Sequence, residues 1–117
     1  MTITRIQPGK RMSQAVVYGP TVYLAGQVAD DATASITEQT KQVLAKVDAL
    51  LAAAGTSKAN VLSIQVLLAN IADFAAMNSV YDTWIDPANT AARATFEARL
   101  ADPSLRVEIV VIAAVPN

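Results

Sequence analysis

Two stretches in which apolar residues recur at helical spacing, each standing between runs of β-rich sequence, constrain this chain more than any other feature. The first opens on Ser35-Ile-Thr-Glu38, a capping box whose hydroxyl and carboxylate are placed to satisfy the first free amides of a helix. Ile36, Val43, Leu44, Val47, Leu50, Leu51 and Ala54 then form one stripe, and Gly55 can take the left-handed conformation that closes it. The second starts at Asn70, a candidate cap with Asp73 in the first turn. It continues along Ile71, Phe74, Met77, Tyr81 and Trp84 until Asp86-Pro87 ends it.

Around these helices lie the expected strands. Ser13 to Tyr18 and Thr21 to Ala25 flank the Gly19-Pro20 turn as a hairpin, followed by a polar loop from Asp30 to Ala34. Val61 to Leu68 is β-branched or apolar at nearly every position, and Ala92 to Leu100 with Leu105 to Val115 reads as a second hairpin around Asp102-Pro103. A helix between strands of one sheet is a crossover, and the right-handed rule puts both helices on the same face. The expectation is an α+β fold, a two-layer mixed sheet with two helices on one face, as a single domain over residues 1–117.

That architecture leaves a face unaccounted for. Leu62, Ile64, Val66 and Leu68 are expected on one side of their strand and Ser63, Gln65 and Leu67 on the other, while Val107, Ile109 and Val111 alternate with Val110 and Ile112. Two helices cover one side only, so a second copy of the chain is expected on the other, making a homo-oligomer.

Composition narrows the chemistry. The chain has no cysteine and no histidine, which removes thiolate nucleophiles, zinc and iron–sulfur clusters, and every Ser-His-Asp arrangement. Nine basic and ten acidic residues are scattered without a cationic cluster, so nucleic acid is not an expected partner. Neither a signal core at the N-terminus nor a membrane-length apolar run is present, and a cytoplasmic protein with no membrane partner is expected.

Among the remaining groups Arg93 stands out, set in a strand between Ala92 and Ala94 with Thr95, Glu97 and Arg99 on its face. A guanidinium among small neighbours can offer a planar fork to a carboxylate; it can equally be a structural ion pair or a solvated edge residue. Glu108, inside VEIVVIAAV, either carries a raised pKa suited to proton relay or forms a buried salt bridge with Arg99 or Arg106. With Leu100 facing Leu105, Arg93 would lie opposite Ile112, roughly 13 Å along the strand from Glu108. The same register sets Glu97 against Glu108 and Arg99 against Arg106, so Arg93 and Glu108 are expected to meet between subunits or through substrate and water. Gly26-Gln27 can bring backbone close to a ligand or simply turn the chain. Asn78 is polar in an apolar-rich helix, as a cap or exposed residue would be, whereas Tyr18, Tyr23, Tyr81 and Trp84 read as core or interface. Lys41 and Lys46 fall on the polar side of the first helix.

Taken in order, SQAVVYGPTVYLAGQV, TEQTKQVLAKVDALLAAAG, DFAAMNSVYDTW, RATFEARL and VEIVVIAAV resemble the YjgF family, the reactive intermediate deaminases or Rid proteins, across nearly the whole chain. The resemblance implies a chorismate-mutase-like subunit in a homotrimer whose sheets form a central barrel with clefts between subunits. It implies hydrolysis of 2-imino acids such as 2-iminopropanoate to 2-keto acids and ammonia, the activity of 2-iminobutanoate/2-iminopropanoate deaminases, with no cofactor or metal. By motif, Arg93 resembles the arginine that binds the substrate carboxylate and Thr95 lies near the position whose backbone approaches the reacting group. Glu108 resembles the acid that positions water, and Gly26 and Asn78 match cleft-lining positions. Two departures bear on this: Met12 stands where the family tyrosine precedes Ser-Gln-Ala, and Ala91-Ala92 replaces a proline-alanine pair. Methionine can neither donate a hydrogen bond nor transfer a proton, so a small-carboxylate binding or regulatory module is the alternative. The ribonuclease label that some members carry finds neither a basic patch nor a histidine in this sequence.

Overall fold

The computed structural model describes residues 1–116. Its strands are β1 (Ile3–Pro8), β2 (Ser13–Tyr18), β3 (Thr21–Leu24), β4 (Gln27–Val28), β5 (Val61–Leu68), β6 (Ala92–Glu97) and β7 (Val107–Ala114), with helices α1 (Ile36–Ala53) and α2 (Phe74–Trp84). They form one mixed sheet in the order β1-β2-β3-β7-β5-β6, with β4 also paired to β7. Helices α1 and α2 pack on one another, and their apolar stripes meet Val22, Leu24, Ile64, Val66, Val107, Ile109 and Val111 of the sheet in one core. No helix among the described residues is long and apolar enough to cross a membrane.

Local signals explain the first half. β2 and β3 form the expected hairpin, Tyr18 opposite Thr21, with Gly19 at a φ of 61° in the turn. Helix α1 starts where Ser35 Oγ accepts the Glu38 amide at 3.2 Å, although the Glu38 carboxylate turns to Lys41 at 3.5 Å instead of completing the box. It ends before Gly55, whose φ is 83°. Gln39 is fully buried in α1 and satisfied: Nε2 donates to the carbonyls of Ala34 and Ser104 at 3.0 and 3.1 Å, and Oε1 accepts the Arg106 amide at 2.8 Å. It thereby ties two loops to the helix. Gln39→Leu removes those partners while keeping bulk, and is expected to lower stability by about 2–4 kcal/mol, read from the denaturant midpoint.

The last two strands do not form the expected hairpin. β6 runs parallel to β5, Ile64 beside Arg93 and Leu68 beside Glu97, while β7 runs antiparallel along the other edge of β5, Ile64 beside Val111. Helix α2 is the cause, because a strand–helix–strand crossover delivers β6 parallel to the strand before it. Residues 98–106 then carry the chain around the end of β5, held there by the Ala98 amide on Leu68 O at 2.9 Å and the Ala69 amide on Arg106 O at 3.1 Å. The Asp102-Pro103 turn belongs to this connection. Glu97 therefore does not face Glu108, nor Arg99 Arg106.

Three smaller differences follow from packing. A register irregularity between Val61 and Ser63 turns Leu62 outward while Val61 is buried, so the apolar face of β5 is Val61, Ile64, Val66 and Leu68. The buried stripe of α2 is Met77, Val80 and Tyr81, whereas Ile71 and Phe74 are exposed where the helix entry overhangs edge strand β6. β1 lacks apolar alternation because it is an edge strand with five of its six residues exposed. The sheet face opposite the helices carries Val16, Tyr23, Leu67, Phe96, Val110 and Ile112, with Tyr23 and Phe96 exposed.

Candidate functional site

Arg93 and Thr95 pair with Ile64 and Val66, which places them on the helix-covered face of the sheet at its β6 edge. There the start of α2 meets the guanidinium. Asn78 Oδ1 accepts from Arg93 Nη1 at 2.8 Å, the Tyr81 ring lies 4.6 Å from the guanidinium carbon, and the Phe74 ring lies 5.9 Å from it. Residues 74, 78 and 81 share one helix face, so about two turns of α2 supply an amide and two aromatic faces to one cation. Arg93 is half-buried and forms no ion pair among the described residues. One of its five N–H donors is taken by Asn78. Beside it, Thr95 Oγ1 is buried without a hydrogen-bond partner among the described residues. Burial raises the Tyr81 phenol above its ordinary range, partly offset by the neighbouring Arg93 charge, so it stays neutral at physiological pH.

Glu108 lies on the other face. It is flanked by Leu67 of β5 and Val28 of β4, on the side away from the helices, and its carboxylate occupies the space above Gly26. A Cβ on Gly26 would overlap Glu108 Oε2 and come within 2.8 Å of Cδ. A side chain at position 26 would therefore displace the Glu108 carboxylate. Of the alternatives open for Glu108, the salt bridge with Arg99 or Arg106 is not formed among the described residues, because Arg106 instead holds Asp73 at 2.9 Å and Arg99 is exposed. Met12 stands at the turn between β1 and β2, 54% exposed, at the end of the sheet where the Ala25 amide bonds Gln14 O.

The six candidates therefore fall into two groups. Arg93, Thr95 and Asn78 sit on one face at the β6 edge, and Glu108 and Gly26 sit on the other face, with Met12 near that end of the sheet. β5 separates β6 from β7, and Arg93 lies beside Ile64 but Glu108 beside Leu67, so the two stand roughly 10 Å apart across the sheet and roughly 10 Å apart along it, and point to opposite sides. Met12 lies four strand spacings from β6, roughly 19 Å. Clefts of about 430, 360 and 290 Å³ among the described residues are lined by other side chains, among them Arg99 and Asp102, Gln14 and Lys46, and Lys58 and Trp84 respectively. Tyr81, expected from the sequence to be core or interface and not a stacking platform, is buried as expected but also lies under the guanidinium, and Phe74 is its second aromatic neighbour. Their spacing from Asn78 was the available signal.

A family model described as Endoribonuclease L-PSP matches residues 2–115. A RutC family protein of Haemophilus influenzae is 45% identical over 114 residues, covering 97% of this chain and 98% of the relative. The chain belongs to the YjgF/Rid family. A crystal structure of a YjgF family member from Neisseria meningitidis shares the fold of this YjgF/Rid chain at a TM-score of 0.97, with 39% identity, 100% of this chain covered and 98% of that one. A rat protein named 2-iminobutanoate/2-iminopropanoate deaminase is 36% identical over 107 residues, covering 86% of this chain and 77% of its own length. The family thus includes named imine deaminases alongside relatives named only RutC family proteins.

Proposed function

We propose that this protein hydrolyses small 2-imino acids to 2-keto acids and ammonia, without cofactor or metal, in clefts between the subunits of a homotrimer. The observation that carries the reading is Arg93: a half-buried guanidinium, tethered by Asn78 and set over the Tyr81 ring, that forms no ion pair among the described residues. A cation so placed, with donors left over, suits a planar carboxylate ligand. The deaminase names among the relatives supply the rest of the substrate.

Catalysis needs little more than placement. Arg93 of one subunit orients the carboxylate, which fixes the imine carbon against Glu108 of the next. Water attacks the carbon of the protonated imine as Glu108 accepts its proton, and the C=N bond becomes C–N in a neutral carbinolamine. Glu108 returns that proton to the nitrogen, the C–N bond breaks as ammonia leaves, and Glu108 takes the hydroxyl proton as the carbonyl forms. Thr95 Oγ1, buried and unpartnered, is available to the bound acid. The test is to generate 2-iminopropanoate with a dehydratase and follow imine loss; no acceleration at high protein concentration overturns the reading.

Gly26 allows a sharper check. Gly26→Ala adds one methyl where Glu108 rests, and the carboxylate, being the end of a flexible side chain, swings away. Stability should change by less than about 1 kcal/mol while imine hydrolysis falls roughly tenfold or more. Met12, an exposed thioether where the family has a tyrosine, favours one second reading, a carboxylate-binding module with slow turnover. Calorimetry with pyruvate beside the turnover assay separates the two, since binding without acceleration assigns the module.

A further inference from the structure

The candidate arginine does not rest on the sheet alone. Its guanidinium carbon lies 4.6 Å from the centre of the Tyr81 ring, and that ring meets Trp84 at 5.8 Å with planes tilted by 52°. Trp84 Nε1 donates to both carboxylate oxygens of Asp48 on α1 at 3.0 Å, and Lys58 lies over the same indole at 5.5 Å. Tyr81 is buried, at 6% exposure. A ring buried and braced through Trp84 against a second helix offers the cation above it a fixed face. Asn78 fixes Nη1 at 2.8 Å but leaves rotation about that contact open.

We infer that Tyr81 is a positioning residue for Arg93, an aromatic platform that sets the plane of the guanidinium fork before any ligand arrives, with the Trp84–Asp48 contact as its strut. This deepens the function proposed above and rests on it for the ligand, though the platform itself can be tested without one. The phenol hydroxyl is not needed for stacking, so Tyr81→Phe should preserve the effect and Tyr81→Leu should lose it.

The experiment is side-chain NMR of the free, full-length protein together with pyruvate calorimetry. In the wild type the Arg93 Nε–H signal, identified by its loss in Arg93→Lys, is expected to be displaced by the ring current and slow to exchange, apart from those of the exposed Arg5, Arg11 and Arg99. Tyr81→Phe should keep that signature and Tyr81→Leu should move it to the exposed group. Pyruvate affinity should then fall about tenfold in Tyr81→Leu, stay within about twofold in Tyr81→Phe, and fall no further when Tyr81→Leu is added to Arg93→Ala. A wild-type Arg93 signal coincident with the exposed arginines overturns the proposal even if the leucine variant fails to fold. So does an Arg93 signal that Tyr81→Leu leaves in place, or a loss of affinity equal in the Arg93→Ala background. If the NMR signature follows the ring but the wild type binds no small carboxylate, the platform stands and the deaminase reading falls.

Discussion

Arg93→Ala is expected to lower kcat/KM for 2-iminopropanoate roughly 100- to 1,000-fold, a loss of about 3–4 kcal/mol of transition-state stabilisation. The size follows from what the side chain is in this structure. Among the described residues Asn78 alone takes a guanidinium hydrogen bond, so removing the group costs the fold little more than that bond and the contacts on the Tyr81 and Phe74 rings. The melting midpoint should shift by no more than a few degrees. What is lost is the anchor of the carboxylate, and with it the alignment of the imine carbon against attacking water. Arg93→Lys restores the charge as a compact ammonium without the planar fork, and should recover only part of the activity. Steady-state kinetics from coupled imine generation, with thermal melts of the same preparations, give both quantities. An unchanged rate in Arg93→Ala rejects the assigned role.

The sequence carried the identity of these groups further than their arrangement. Arg93 was legible as a cation in a strand of small residues, and Glu108 as a carboxylate in an apolar one. Both helices and the β2–β3 hairpin were legible because their signals are local: a Ser35 cap, a Gly55 terminus, a Gly19-Pro20 turn. The pairing of the last two strands was not. Asp102-Pro103 is a sound turn signal, but whether a turn closes a hairpin depends on what else competes for the strand edge. Here the α2 crossover had already set β6 beside β5, and β7 entered on the far side. That non-local choice reverses the geometry of the site. In a hairpin Arg93 and Glu108 would have been displaced along one ribbon; in the observed sheet they are on opposite faces. The aromatic cage was hidden for a related reason. Phe74, Asn78 and Tyr81 share a helix face in any reading, yet only the passage of that face over edge strand β6 makes it a setting for Arg93 and not simply core.

The opposite placement of the two halves leads to a decisive mixing result. If each site takes Arg93 from one chain and Glu108 from the next, Arg93→Ala and Glu108→Gln are each nearly inactive as pure oligomers, because every cleft lacks one half. When the two variants are unfolded together in equal amounts and refolded, a given interface is intact only where the arginine side comes from the Glu108→Gln chain and the glutamate side from the Arg93→Ala chain. Random assortment makes that roughly one interface in four, so about a quarter of wild-type activity should return. The fraction does not depend on the number of subunits in a closed ring, and it therefore tests the sharing of the site separately from the subunit count, which native mass spectrometry would measure. A site built within one chain recovers nothing on mixing, since each chain still carries its own defect. The same arithmetic constrains the geometry of assembly. A patch on the β6 edge of the helix-covered face must meet a different patch, around Glu108 and Gly26 on the bare sheet face, and the meeting of unlike patches by a repeated rotation closes into a ring. The apolar residues around Glu108, with Leu67 and Val28 on either side of it, then become the floor of a cleft that no single copy of the chain can close.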